Sequence, residues 1–327
     1  MKRRRVFAGV SGVLLAASIV AAPQASAAAC SWVANDLPLP AGVTHGQTTG
    51  SSGDNRFIVG SYFQNGTRGV LWDHGALRTM TLPSNSADDI TPRDVNNSGV
   101  VVGAYWYSWG ADSRYRPFRY SNGTYEFLYS DVNEDAIARG VNENGDVIGE
   151  VWLRSAPQTR WVAMWPAGQP RRLYLKGQAI GISNDRKLVV VTNTTAWLID
   201  GHNGKWTEIP GGRTPMVFDN ERVLHMAWGG ENGAAYRIVE RDVNGVLTAE
   251  YNAGLEPFGR TSGGTLFGST GPNGTSLWQN GWRTDVDSEK DPHPSYYGDA
   301  TDGGALIATY RDAQGNTYPA RWFWTCT

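Results

Sequence analysis

Metal-ligand and catalytic residue patterns are scarce in this sequence of 327 residues. It contains two cysteines and five histidines, and no two histidines are spaced i, i+4, so a zinc site is not expected. The patterns GxSxG, HExxH and SxxK and a glycine-rich phosphate loop between a strand and a helix are all absent, so no motif identifies an enzyme. Only 18% of the residues are charged, and no basic block follows residue 5, which argues against a nucleic-acid partner.

The one long apolar stretch lies at the N-terminus. Residues 1–27 combine a basic start, an apolar run and the small-residue end Ala25-Ser26-Ala27, which predicts a cleaved signal peptide and a secreted, extracellular protein. The pair Arg4-Arg5 is compatible with export by the twin-arginine route as well as by the general secretory route, so the sequence does not decide between the two. No later stretch approaches the ~18 apolar residues of a membrane-spanning helix. Loss of the four basic residues Lys2 to Arg5 changes the net charge from −2 to about −6.

What the sequence has in abundance is a repeat. The clearest copy, DVNNSGVVVGAYW from Asp94 to Trp106, joins a polar turn to a β-branched run, a glycine and aromatics. Related segments begin at Gly53, Val141, Ile182, Thr261 and Ala300. A period of ~40 residues with several short strands in each repeat predicts a β-propeller. The 40 glycines and 16 prolines fit a loop-rich, all-β chain.

The repeats predict seven blades of four strands each, in a single domain over residues 28–327. The second strand of each blade is expected near residues 57–63, 100–106, 146–152, 187–193, 222–228, 265–270 and 305–310. Aromatic residues that recur at equivalent positions, such as Trp106 and Trp152 or Trp72 and Trp165, are assigned to packing between blades. Functional residues are therefore sought among those that do not recur.

The seventh blade lacks a fourth strand, and the N-terminus is expected to supply it. The segment CSWVANDLPLP from Cys30 has no strand before it, and Trp32 matches the aromatics that open the fourth strand in other blades. Closure of this kind places a strand that starts at Cys30 antiparallel to one that ends at Cys326, which predicts a disulfide between them. In the loop-closure model such a bridge adds on the order of 4 to 5 kcal/mol to stability.

One long aromatic loop has no counterpart in the other blades. It joins the second and third strands of blade 2, from Tyr107 to Arg116. In up-and-down sheets this loop shares one face of the ring with the connections between blades, such as the acidic segment 131–135. Aromatic rings stack on the C–H faces of pyranoses while polar neighbours bind the hydroxyl groups. The predicted ligand site is made of Tyr107, Trp109, Asp112, Arg114, Tyr115, Tyr296 and Tyr297.

Acidic residues suggest two weaker alternatives. Calcium is the one cofactor considered, because oxygen ligands alternate, without EF-hand spacing, at Asp285, Asp287, Glu289 and Asp291. Two carboxylates that face one cavity are enough for a glycosidase, and the candidates near the inner strands are Asp94, Asp219 and Asp302. Each of these three also sits at a turn where a short polar side chain caps the backbone, and this structural role is favoured.

The first part of the mature chain, up to about Val190, carries a recognisable pattern. VNNSGVVVG followed by RPFRY, VNENGDVIG followed by VAMW, and IVG followed by VLW resemble the HAF-type extracellular repeat. The resemblance implies a secreted bacterial β-propeller and names no ligand. Secreted actinobacterial propellers as a class are also similar to the lectin-like subunits that guide extracellular toxin assemblies to other cells, a link that no motif of this chain carries. The Asp-box SxDxGxTW of sialidases is absent from every blade.

The sequence therefore predicts a secreted, non-enzymatic, lectin-like binding module. Its expected partner is a glycan, another cell-surface ligand or a secreted protein, and it is a candidate targeting subunit of a toxin complex. The alternative is a hydrolase or lyase that acts on a polysaccharide. A third interpretation is a scaffold within a larger secreted complex, which would co-purify with a partner protein and bind no glycan.

Overall fold

The computed structural model describes most of the chain after residue 29. The described ranges are 30–80, 89–109, 112–193, 195–210, 213–219, 221–229, 235–251, 255–261, 263–271, 274–279, 282–286, 290, 292, 299–301 and 304–326. The predicted signal peptide, residues 1–27, lies outside them. Over the described ranges, we find no helix long and apolar enough to cross a membrane.

Every regular element in these ranges is a β-strand. In chain order the strands are β1 (Cys30–Asp36), β2 (Gly46–Ser51), β3 (Phe57–Phe63), β4 (Thr67–Asp73), β5 (Ala76–Met80), β6 (Asp89–Val95), β7 (Val101–Trp109), β8 (Asp112–Ser121), β9 (Thr124–Phe127), β10 (Glu134–Val141), β11 (Val147–Leu153), β12 (Arg160–Trp165), β13 (Arg172–Lys176), β14 (Gln178–Ile182), β15 (Lys187–Val191), β16 (Ala196–Asp200), β17 (Trp206–Ile209), β18 (Arg213–Asp219), β19 (Arg222–Gly229), β20 (Ala235–Asp242), β21 (Leu247–Tyr251), β22 (Glu256–Arg260), β23 (Leu266–Gly271), β24 (Gly274–Gln279), β25 (Trp282–Asp285), β26 (Asp299–Ala300), β27 (Leu306–Arg311) and β28 (Thr317–Cys326).

These strands form seven four-stranded antiparallel sheets. Blades 1 to 6 are β2–β5, β6–β9, β10–β13, β14–β17, β18–β21 and β22–β25, and blade 7 is β26–β28 with β1. The first strand of each blade contacts the neighbouring blade, and β2 contacts β27 and β28, so the sheets close into a ring. The predicted all-β, seven-bladed propeller is confirmed. The second strands are β3, β7, β11, β15, β19, β23 and β27, as the repeat predicted.

The hydrophobic core is divided among the seams between successive blades. At the seam between blades 1 and 2, Phe57 and Leu71 pack with Ile90 and Phe118. Equivalent clusters of buried apolar residues lie at the six other seams. Each sheet therefore buries apolar side chains on both of its faces, and each blade depends on its two neighbours for stability.

The N-terminal strand completes blade 7, as predicted. β1 pairs with β28 along its whole length, and the register places Cys30 directly opposite Cys326. The side chains of both cysteines lie outside the described residues, so the disulfide remains a prediction. Ring closure is also supported by a hydrogen bond from the Thr48 amide of blade 1 to the Thr309 hydroxyl of blade 7, at 3.1 Å.

The first strand carries a β-bulge in blades 1 to 6. Where the second strand has the glycine of the repeat, that glycine lies opposite the bulge. In blade 2 the bulge lies between Pro92 and Asp94, opposite Gly103. A Cβ atom at Gly103 would lie 2.2 Å from the carbonyl oxygen of Thr91, closer than any side chain allows. This repeated glycine is therefore required by close approach of two backbones.

A recurring tryptophan ties each of three blades to the one before it. The indole N–H donates to a backbone carbonyl that follows the fourth strand of the preceding blade. The three bonds join Trp72 to Pro38, Trp165 to Tyr129 and Trp322 to Lys290, at 2.7 to 2.8 Å. The rings of all three tryptophans are buried, which confirms the assignment of Trp72 and Trp165 to packing between blades.

Candidate functional site

The strands β7 and β8 form the long aromatic hairpin of blade 2. Trp106 pairs with Tyr115 across the hairpin, and their ring centroids are 4.5 Å apart. Trp152 of blade 3 lies 6.1 Å from the Tyr115 ring, and the guanidinium carbon of Arg160 lies 4.4 Å from the Trp152 ring centroid. The Tyr115 amide donates to the Asp135 carboxylate at 2.8 Å. These contacts hold Tyr115, which is 39% exposed, at the seam between blades 2 and 3.

Tyr107 lies on the other face of the same sheet. Successive side chains of a strand point to opposite faces, so Tyr107 shares its face with Tyr105 and not with Trp106. The ring centroids of Tyr105 and Tyr107 are 6.0 Å apart, and both pack in the cluster between blades 1 and 2. The two predicted tyrosines therefore do not form one patch.

The remaining predicted ligand residues fall into three groups, according to how much of each residue the structure describes. Arg114 is half-buried and pairs with Tyr107 across the hairpin, on the blade 1 side. The backbones of Trp109 and Asp112 pair at the tip of the hairpin, and their side chains lie outside the described residues. Tyr296 and Tyr297 also lie outside the described residues. Of the predicted set, the described structure thus places Tyr115 alone at an exposed position beside other aromatic rings.

A second candidate is a cavity of about 470 Å³ on the ring axis, lined by residues of all seven blades. It opens at the turns between first and second strands, which is the end of the blades opposite to the β7–β8 hairpin tip. The polar and charged residues of its lining include Thr49, Arg93, Asp94, Arg139, Glu143, Glu221 and Asp299.

A row of hydrogen bonds joins the turns around this opening. The amide of Asp54 donates to the Asn97 side chain at 3.0 Å, and the Asn97 amide donates to Glu143 at 3.1 Å. The Glu143 amide donates to Asn184 at 2.9 Å, and the Asn184 amide donates to Glu221 at 2.8 Å. The same turn position in blades 2 to 5 thus supplies a side-chain oxygen to the blade before it. Polar residues of these turns stabilise the ring.

Asp94 stands in the wall of this cavity and is half-buried. Its carboxylate accepts hydrogen bonds from the amides of Val95 and Val141, both at 2.8 Å. Burial is the main cause that raises the pKa of Asp94 to about 7, against the effect of these two bonds. The Asp299 carboxylate of blade 7 likewise binds the neighbouring blade 1, because it accepts hydrogen bonds from the Ser51 amide at 3.1 Å and the Ser51 hydroxyl at 2.6 Å.

Asp94 is one of the candidates predicted from the sequence, and Asp299 is not among them. Asp94 follows the bulge of its first strand, opposite Val102, and Asp299 takes the equivalent register position in blade 7, opposite Ile307. Blades 1, 3, 4 and 6 carry a glycine at this position. An acidic residue at a glycine position was the available signal, but blade 7 matches the repeat too weakly to show it. The side chain of Asp219 and the whole of Asp302 lie outside the described residues.

The calcium candidate is described only in part. Asp285 is exposed and lies 3.3 Å from the Arg283 guanidinium, and it accepts the Ser276 hydroxyl at 2.5 Å. Asp287, Glu289 and Asp291 lie outside the described residues. Over the ranges that the structure covers, no three His, Cys, Asp or Glu residues are grouped so that they could hold a metal ion.

The comparisons with known proteins identify the fold. No family model and no curated protein sequence matches the chain. Among solved structures, a chain of the mitotic checkpoint complex is 11% identical, with 98% of this chain and 100% of that chain covered and a TM-score of 0.53. The β-propeller domain of the Trilobed protease from Pyrococcus furiosus is 10% identical, with 73% and 82% covered and a TM-score of 0.53.

A puromycin-hydrolyzing peptidase from Mycobacterium tuberculosis is 10% identical to this chain. The match covers 88% of this chain and 53% of that one, with a TM-score of 0.57. At such low identities, the similarity to these structures shows the β-propeller fold alone. That fold fits a binding or interaction module, and it also occurs in peptidases.

Proposed function

We propose that this chain is a secreted, non-enzymatic binding module that recognises carbohydrate on a cell surface or an extracellular polymer. The observation that carries the proposal is the cluster of Trp106, Tyr115 and Trp152, where two blades together present a partly exposed tyrosine. Aromatic rings stack on the apolar faces of sugars, and nearby polar groups bind the hydroxyl groups. Arg160 and Asp135 supply such groups beside the cluster.

The test is a glycan array probed with the wild-type chain and with Tyr115→Ala. We expect the variant to lose about tenfold or more in apparent affinity, as removal of a central aromatic contact commonly does. The matched control is Trp282→Ala, because Trp282 is 79% exposed on blade 6, away from this seam. A second variant, Trp109→Ala with Tyr297→Ala, tests the residues proposed from sequence. Equal binding by Tyr115→Ala and wild type would remove the proposed site.

The HAF-type turns VNNSGVVVG and VNENGDVIG and the N-terminal signal sequence support a secreted bacterial origin. The proposal extends to a protein partner, since a targeting subunit of a toxin complex would hold both a cell-surface ligand and a secreted protein. Pull-down from the culture medium of the source organism tests this extension. A scaffold would recover a partner protein while the glycan array stays silent.

A polysaccharide hydrolase is the second candidate, and one observation favours it. Asp94 and Asp299 stand in the wall of one cavity, and Asp94 has the raised pKa that a general acid needs. Both carboxylates also bind backbone amides of the neighbouring blade, which explains them without catalysis. Release of reducing sugar from an array ligand, lost in Asp94→Asn, would establish the enzyme in place of the binding module.

A further inference from the structure

A groove of about 1000 Å³ lies at the outer part of the seam between blades 2 and 3. One wall is formed by the end of β9 and the residues that follow it, from Glu126 to Tyr129. The other wall is formed by the turn from Pro166 to Arg171, together with Leu173. None of the seven ligand residues proposed from sequence belongs to this groove.

Tyr129 presents a large aromatic ring in the groove, because it is 61% exposed. Three contacts hold the residue in place. Its hydroxyl donates to Asp131, its carbonyl accepts the Trp165 indole at 2.8 Å, and the Arg171 guanidinium carbon lies 5.2 Å from its ring centroid. The ring is thus positioned before any ligand arrives, which lowers the entropic cost of binding.

Arg171 is itself fixed beneath the tyrosine. Its guanidinium donates to Glu134 at 2.6 Å and lies 3.6 Å from Asp131, and its side chain is only 9% exposed. A bidentate contact with Glu134, whose second distance is 3.4 Å, restricts the guanidinium further. The arginine is therefore a support for the Tyr129 ring.

The accessible charges of the groove are negative. The side chains of Asp131 and Glu126 are 56% and 61% exposed. The second arginine of the groove, Arg119, is 17% exposed and is paired with Glu126 at 2.8 Å. A ligand that enters the groove meets carboxylate oxygens and an aromatic face, while both guanidinium groups stay paired.

We propose that this groove is a carbohydrate subsite for a neutral pyranose, with Tyr129 as its stacking platform. The carboxylates of Asp131 and Glu126 accept hydrogen bonds from sugar hydroxyl groups, and they repel uronic and sulfated sugars. The inference rests on the proposed function and names its ligand class. Asp135, which accepts the Tyr115 amide, lies in β10 directly after the loop that follows Tyr129, so the groove and the Tyr115 cluster lie at the two ends of one loop.

The experiment is calorimetric titration of the mature chain with cellohexaose, chitohexaose, xylohexaose and maltohexaose, and with hexagalacturonate as the acidic probe. We expect at least one neutral probe to bind and hexagalacturonate to bind at least about tenfold more weakly. Tyr129→Ala should weaken binding of the neutral probe about tenfold or more. Tyr129→Phe keeps the ring and should retain most of the affinity, while Trp282→Ala serves as the exposed control.

The outcomes separate this subsite from the proposed function. Weaker binding in Tyr115→Ala with wild-type binding in a folded Tyr129→Ala would overturn the groove and leave the proposed function standing. Tighter binding of hexagalacturonate than of any neutral probe would overturn the neutral class. If no neutral probe binds the wild-type chain, the groove proposal fails, and the glycan array alone then decides the proposed function. Circular dichroism of each variant shows that the fold is retained.

Discussion

At the scale of single residues, Asp94 and Asp73 show how the surroundings of a carboxylate decide its pKa. Burial raises the pKa of Asp94 to about 7. Its hydrogen-bond donors are backbone amides, which carry no full charge and do not offset the effect of burial. The hydrogen bond from Arg56 lowers the pKa of Asp73, and the charge of Arg78 acts in the same direction. The two residues should therefore shift stability with pH in opposite ways.

We predict that Asp94 makes the protein less stable as the pH rises from about 4 to 7. The folded state keeps the proton over this window while the unfolded state loses it, so unfolding releases a proton. The free energy of unfolding should fall by up to about 1.4 kcal/mol per pH unit, an upper limit because Asp94 is half-buried. Urea unfolding of wild type and Asp94→Asn at several pH values measures the difference.

Asp73→Asn is the matched control for this prediction. The pKa of the wild-type Asp73 carboxylate is lowered in the folded state, so Asp73 should stabilise the fold above pH 3.8 and lose this effect as the pH falls below it. Asp73→Asn should remove this pH dependence. Parallel stability curves for wild type and Asp94→Asn between pH 4 and 7 would contradict the assignment to Asp94.

His225 is a buried polar residue that we expect to destabilise the fold. It stands where most second strands carry a glycine, and the bulge opposite it, between Arg213 and Met216, is one residue longer than in other blades. The side chain is 1% exposed, and neither ring nitrogen has a hydrogen-bond partner among the described residues. Burial lowers the pKa of His225 below 6.5.

We predict that protonation of His225 destabilises the fold as the pH falls below about 6.5. Its lowered pKa keeps the folded state unprotonated while the unfolded state gains a proton. His225→Leu should raise the free energy of unfolding by about 1 kcal/mol at pH 7.5 and by more at pH 5, since an unpaired buried polar group is removed. Thermal unfolding at both pH values tests this, and an unchanged difference between them would count against it.

At the scale of elements, a blade is joined to its neighbour by packing and by a few directed hydrogen bonds. The third strand β12 of blade 3 shows the contrast, because Trp165 is buried and bonded to Tyr129 while Trp161 is 39% exposed. Trp165 connects two blades, whereas Trp161 is partly exposed and contacts Lys176 of its own blade, whose ammonium nitrogen lies 5.3 Å from the ring centroid. Both belong to the same strand, so they form a matched pair for mutation.

We predict that Trp165→Phe lowers the free energy of unfolding by about 1 to 3 kcal/mol, because the Tyr129 carbonyl loses its donor at a buried position. Trp161→Phe should change it by about 0.5 kcal/mol or less. Chemical denaturation of both variants measures the two values. Equal effects of the two substitutions would show that the indole hydrogen bond contributes nothing measurable.

At the scale of the whole molecule, the ring depends on one sheet that is assembled from both ends of the chain. β1 pairs with β28 over seven positions, from Cys30 opposite Cys326 to Asp36 opposite Ala320. If this pairing opens, blade 7 loses its outer strand and the seam beside it is exposed. Closure is therefore the step at which the propeller is most sensitive to its termini.

We predict that reductant lowers the midpoint of thermal unfolding of the wild-type chain, because a Cys30–Cys326 disulfide restricts the unfolded state by on the order of 4 kcal/mol. The double variant Cys30→Ser, Cys326→Ser should unfold at the reduced midpoint with or without reductant. Two titratable thiols in the denatured, unreduced wild-type protein would rule the disulfide out.

The sequence was a better guide to the fold than to the site. The repeat identified the seven second strands and the N-terminal closure, because apolar runs, turn residues and glycines are local signals of a propeller blade. It did not show that Tyr107 and Tyr115 lie on opposite faces of blade 2. That separation follows from the strand register, which pairs Trp106 with Tyr115 and Tyr107 with Arg114. The aromatic residues of this loop do not reveal the register in the sequence.

By itself, the sequence determined the all-β class, the number of blades and the pairing of the first strand with the last. These depend on periodicity and on turn chemistry, which each repeat carries within its own residues. The tertiary structure alone decided that Tyr129, Asp131 and Arg171 meet at one groove and that Asp94 and Asp299 share one cavity. These groups combine residues from different blades, and only the packing of blades in the folded ring brings them together.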